Sequence, residues 1–133
     1  MSEIIKEIKD VSFKRDGKHF EDMDGFEVVT SEQVIRLGIN CHGDCCSSQG
    51  YFMSNDDLND FIGAELLGVE ITDEALNKKK LHEHFSNEDG GIMFVDLKTN
   101  KGVLQFVAYN SHNGYYGTTA SIESKQLTDD RSL

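Results

Sequence analysis

Along most of this chain apolar and polar residues alternate with a period of two. Val11-Ser12-Phe13-Lys14 predicts an opening strand, with a lead-in where Ile4, Ile8 and Val11 also fit helical spacing. Strands are predicted at 26–30 and 33–40; the second carries Val34, Ile35, Leu37 and Ile39, side chains that suit a pleated, half-buried surface. Tyr51-Phe52-Met53 reads as a short strand, and in 65–72 Leu67, Val69 and Ile71 alternate with Gly68 and Glu70. Segments 92–97 and 103–109 predict a hairpin across Thr99-Asn100-Lys101-Gly102. In the second of these, Leu104, Phe106 and Ala108 face one way while Val103, Gln105, Val107 and Tyr109 face the other. Both faces are largely apolar, which predicts a central strand covered on both sides. A final strand is expected at 119–126, with 127–133 a loose tail.

The period changes in two places. Ser54-Asn55-Asp56-Asp57 matches the capped start of a helix, Leu58, Phe61 and Ile62 supply a core-facing stripe, and Gly63 is placed to end it. Residues 73–85 hold good helix formers with poor apolar spacing and predict a short helix or an irregular excursion. The polar stretch 14–25 holds Asp16-Gly17 and Asp24-Gly25, pairs that favour tight turns. The expected fold is therefore α+β: one domain over residues 1–133, a mainly antiparallel sheet of about seven to eight strands, and one or two short helices packed on it.

Composition adds limits. A chain of 133 residues can bury one hydrophobic core, and 38% hydrophobic residues argue against disorder. No apolar run is long enough to span a membrane and the N-terminus lacks a signal-type stretch, so a cytoplasmic protein is expected. The net charge of −11, from 24 acidic against 13 basic residues, repels phosphates and excludes direct nucleic-acid binding as the first expectation. It favours a basic protein partner. From Asp16 to Glu32 the carboxylates Asp16, Glu21, Asp22, Asp24, Glu27 and Glu32 face Lys18 alone, a local balance of −5, and form the candidate acidic partner surface.

Two stretches carry candidate chemistry. All 3 cysteines fall within Cys41-His42-Gly43-Asp44-Cys45-Cys46. In a reducing compartment they are not a disulfide framework, and the same atoms suit buried thiols, a zinc site or thiol chemistry. Zinc takes thiolate and imidazole ligands in a tetrahedron, so Cys41, Cys45 and Cys46 with an outside histidine, His112, make the candidate metal set. The second stretch, Asn110-Ser111-His112-Asn113-Gly114-Tyr115-Tyr116-Gly117, is longer than a hairpin needs. Asn110, Asn113, Tyr115 and Tyr116 are its candidate ligand- or partner-binding residues, on a loop held by strands. No complete catalytic motif is present, so an enzyme is not the expected class.

Asp44-Cys45-Cys46 with Gly50-Tyr51-Phe52, then Phe61-Ile62-Gly63-Ala64-Glu65-Leu66-Leu67, and Gln105-Phe106 running to Tyr109-Asn110-Ser111-His112-Asn113-Gly114-Tyr115-Tyr116-Gly117, resemble small uncharacterised proteins of phages, prophages and their bacterial hosts. The resemblance covers roughly residues 25–126, and it implies a histidine where this chain has Thr118. By analogy of class it implies a phage-encoded inhibitor of a host defence system, anti-CRISPR-like, acting in the cytoplasm of a bacterial host. Its partner would be a CRISPR effector nuclease, met by protein–protein contact, with zinc stabilising the fold. Two alternatives stand beside it: sequestration of a small ligand or nucleotide by the 110–117 loop, and a thiol-dependent enzyme.

Overall fold

The structure, a computed structural model, describes residues 3–14, 22–40, 49–84, 91–110 and 119–133. The described residues form nine strands in two antiparallel sheets. The five-stranded sheet contains β1 (Ile5–Lys14), β2 (Asp22–Thr30), β3 (Val34–Ile39), β8 (Thr119–Glu123) and β9 (Thr128–Ser132), in that spatial order. The four-stranded sheet has the order β4 (Gln49–Met53), β7 (Gly102–Asn110), β6 (Gly91–Thr99), β5 (Leu66–Thr72). Among the described residues, helical structure is confined to a 3-10 turn, Leu58–Phe61, and one helix, α1 (Lys78–His84).

The α+β expectation is thus corrected to a mostly β fold. The helix predicted from Ser54 fails for a local reason. Ser54 is engaged in the sheet: its backbone N–H donates to Gln105 O at 2.8 Å, and its Oγ accepts from Gln105 N at 3.0 Å. With that hydroxyl occupied, the cap falls to Asp57, whose carboxylate accepts from Asn59 N at 3.1 Å, and only one turn forms before Gly63 adopts φ +86°. Two other expectations shift. Asp24-Gly25 makes no turn but lies inside β2, paired to Ser12 and Val11 on one side and to Ile39 and Gly38 on the other. A Cβ on Gly25 would collide with the Leu37 carbonyl, so the glycine serves close strand approach. The tail expected to be loose forms β9, paired with β8 from Glu123–Thr128 to Thr119–Ser132.

Alternation places the core. Ile5, Val28, Ile35, Leu37, Ile39, Ala120 and Ile122 of one sheet meet Met53, Leu66, Met93, Val95, Leu97, Leu104, Phe106 and Ala108 of the other, all buried. Phe26, Tyr51 and Phe106 stack edge-on or tilted there, with ring centroids 5.6–6.2 Å apart. The opposite face of β7 is covered over its second half, where Val107 and Tyr109 join Phe52, Phe94 and Ala75 in a second buried cluster with Leu81 of α1 packed on it, while Val103 at its start stays exposed. Each side chain of this size contributes about 1.5–3 kcal/mol on burial.

β1 ties the sheets together. Its start pairs with the approach to β5, through Ile5 N to Ala64 O at 2.9 Å, Gly63 N to Ile5 O at 2.7 Å and Leu66 N to Glu3 O at 2.7 Å. By Asp10 it has reached Tyr51 of β4, whose hydroxyl donates to the Asp10 carboxylate at 2.7 Å. β5 and β4 are opposite edges of the four-stranded sheet, so β1 runs across the strands of its neighbour layer.

Candidate functional site

The chain enters the four-stranded sheet after β3 and leaves it before β8, and β3 and β8 pair with each other. Residues 41–48 and 111–118 are therefore the two connections between the sheets. Pairing brings their flanks together: Asn40 N donates to Thr119 O at 2.9 Å, and Gln49 stands opposite Asn110 in the β4–β7 ladder. Both stretches singled out for chemistry hang from neighbouring strand ends for this topological reason.

The residues themselves lie outside the described residues: Cys41, Cys45, Cys46 and His112 of the metal set, Asn113, Tyr115 and Tyr116 of the loop set, and Asp16 and Glu21 of the acidic set. The zinc centre is corrected. Among the described residues no group of three or more His, Cys, Asp or Glu is placed to hold a metal ion, and the described layers close on apolar side chains. Asn110, at the end of β7, is fully buried, and its Nδ2 donates to the Leu133 carbonyl at 3.2 Å, anchoring the end of the chain.

Asp24 and Glu27 of the acidic set lie on opposite faces of β2. Asp24 faces the neighbouring layer and accepts from Ser12 Oγ at 2.5 Å. Glu27 is on the outer face of its sheet, between Lys9 and Arg36 at 3.4 Å each. Glu32 lies in the β2–β3 turn, at the far end of the strand. Asp22 begins β2 opposite Lys14. Period two separates what one-dimensional counting had grouped.

A different acidic surface is described. Between Ser54 and Asn77 there are seven carboxylates, Asp56, Asp57, Asp60, Glu65, Glu70, Asp73 and Glu74, and no lysine or arginine. Glu65, Glu70, Asp73 and Glu74 lie in or directly beside β5, the edge strand of the four-stranded sheet, and border it, whereas Asp56 follows β4 at the opposite edge. Three are paired to lysines of other elements: Asp56 to Lys80 at 2.5 Å, Glu70 to Lys98 at 2.5 Å and Glu74 to Lys78 at 3.3 Å. Asp57, Asp60, Glu65 and Asp73 have no ion pair among the described residues. The hydrogen bond and charge of Lys80 hold the Asp56 carboxyl below the usual aspartate range, and those of Glu70 raise the Lys98 ammonium. The absence of cations over this stretch is readable from the sequence.

Within that border the surface is apolar. Leu67 is the extra residue of a bulge between the pairs Leu66–Thr99 and Gly68–Lys98, and is 63% exposed. Lys98 stands opposite Val103 of β7, 39% exposed, and Leu76, 52% exposed, is held over the sheet by its N–H to Gln105 Oε1 at 3.0 Å. The Gln105 amide also donates to Asp96 Oδ1 at 2.8 Å and Glu74 O at 2.9 Å, pinning 73–77 to the sheet.

A family model described as a domain of unknown function, DUF7448, matches residues 2–122. No curated protein and no solved structure matches the chain. No helix of the described residues is long and apolar enough to cross a membrane.

Proposed function

The chain belongs to this family of unknown function, and we propose from its own surface that it is a non-catalytic acidic binding protein docking on the basic, nucleic-acid-handling face of a partner protein. The observation that supports this is the stretch from Ser54 to Asn77 that includes β5, with seven carboxylates and no cation in its own sequence, on a chain of net charge −11. Such a surface is repelled by phosphates and competes with them for a cationic channel. The likeness to phage and prophage proteins suggests the partner class: an effector nuclease of a host defence system, with a CRISPR nuclease as the test case. The sequestering and thiol-enzyme readings rest on stretches outside the described residues, and no described side chain favours either.

The test is displacement. Purified protein is titrated into a CRISPR effector nuclease holding labelled nucleic acid, across a panel of such nucleases. Release of the label at low salt, weakening as salt rises from about 0.05 M to about 0.5 M and the screening length shortens, is the expected result. A panel in which no nuclease loses its nucleic acid refutes the proposal.

A further inference from the structure

We infer that the outer face of β5, β6 and β7 around Leu67, Lys98 and Val103 is the docking surface, and that its occupant is a basic protein segment carrying one aliphatic or aromatic anchor. The inference rests on the binding reading above and adds the place and the chemistry of recognition.

Sheet register makes the patch. Leu66, Val69 and Ile71 pack toward the core, so Leu67 and Gly68 between them both fall on the outer side. The two then face Lys98, whose stem passes within 4.0 Å of the position a Cβ on Gly68 would take, and whose ammonium is drawn toward Glu70. With no side chain at Gly68 and the Lys98 head turned aside, a shallow apolar floor remains between Leu67 and Val103. Leu76 borders it from the segment pinned by Gln105. Three of the four exposed large hydrophobic residues among the described residues are Leu67, Leu76 and Val103; the fourth, Val34, is on the other sheet. A large aliphatic side chain held out by a bulge gains nothing from its exposure in the free protein, whereas burial against an anchor removes its apolar surface from water.

Charge selects the occupant. Glu65 adjoins one end of β5 and Asp73 the other, with Asp57 and Asp60 in the cap and 3-10 turn that lead into the strand, all without ion pairs among the described residues. An acidic partner or a nucleic acid is repelled. A second copy of the chain would set one acidic border against another. A lysine- or arginine-rich segment meets the border while its anchor fills the floor.

The probe is a short synthetic peptide rich in arginine with one central phenylalanine, beside a control with serine at that position. Amide NMR mapping should show shifts confined to Leu66–Glu70, Lys98–Leu104 and Glu74–Leu76, and none at Val34–Arg36. Leu67→Ser and Val103→Thr, both at exposed positions that leave folding intact, should each weaken the phenylalanine peptide about tenfold, as expected for a central anchor contact. The serine control should be insensitive to both. Shifts centred elsewhere, or unchanged affinity in both variants, overturn the inference. So does a wild-type dimer in sedimentation that Leu67→Ser dissolves, since the occupant is then a second copy. Variants that still displace nucleic acid from the nuclease as well as wild type also overturn the surface while leaving the function standing. If wild type displaces nothing, the function fails and the peptide map still judges the surface.

Discussion

Single side chains fix the least regular parts of this protein. Lys80 is one: its ammonium donates to the Met53 carbonyl at 2.7 Å and to Asp56 at 2.5 Å, and lies 5.6 Å from the centre of the Phe52 ring. It fastens α1 to β4. Lys80→Met keeps the stem and removes the donor, and is expected to cost about 1–2 kcal/mol in urea unfolding. The pH dependence has a defined sign. Asp56 has a folded pKa below 3.8, so its contribution is complete above 3.8 and is lost as pH falls through the depressed folded value. Lys98 is raised above 10.5, so its contribution is complete below 10.5 and is lost as pH climbs through the raised folded value. Stability from both pairs is therefore flat through neutral pH, and Asp56→Asn should flatten the acid limb of a stability–pH curve without altering the alkaline limb. None of these partners was legible in the sequence, because Lys80 reads there only as the last of three lysines; which one meets Phe52 depends on how 73–77 is folded back.

At the scale of elements, most strands were readable, and so was the short helix within 73–85, which is α1; the helix expected from Ser54 and the last strand were not. Residues 92–97 and 103–109 are apolar runs on either side of Thr99-Asn100-Lys101-Gly102, so their hairpin, with Gly102 at φ +123°, was evident from the sequence. The helix signal at Ser54 was a true capping sequence overruled by the sheet, since the β7 backbone claims the serine first. β9 was missed because Thr-Asp-Asp-Arg-Ser has almost no apolar content; an edge strand earns its place through backbone pairing and through Leu133, which packs on the core. Truncation after Leu127 is accordingly expected to destabilise the fold by roughly 2–4 kcal/mol, visible as a lowered denaturant midpoint. Gln105→Leu is the matching test for the 73–77 segment. Removing the amide strips a donor from the buried Asp96 carboxylate and an acceptor from Leu76 N–H, with a loss of about 2–3 kcal/mol and faster hydrogen exchange at Leu76 as the expected readouts.

At the scale of the whole molecule, segments distant in sequence meet at Glu3. Its buried carboxylate accepts from Thr30 Oγ1 at 2.6 Å and Gln33 Nε2 at 2.8 Å, with Gln126 Nε2 at 3.4 Å. Glu3→Leu leaves these donors without their acceptor and should lower stability by about 2–3 kcal/mol, with the transition still a single step by both circular dichroism and tyrosine fluorescence. Two transitions would show that the sheets unfold separately. Such convergence is invisible in one dimension, as was the topology: the four-stranded layer is an insertion between β3 and β8, which remain paired with each other. β1 adds a mechanical corollary. Stitched to the approach to β5 at its start and to β2 along its length, it acts as a rivet, and the layers cannot slide past one another until it shears. A pull on the N-terminus therefore loads both layers at once, whereas a pull on the C-terminus first peels one edge strand. The protein should resist force from the two directions very differently.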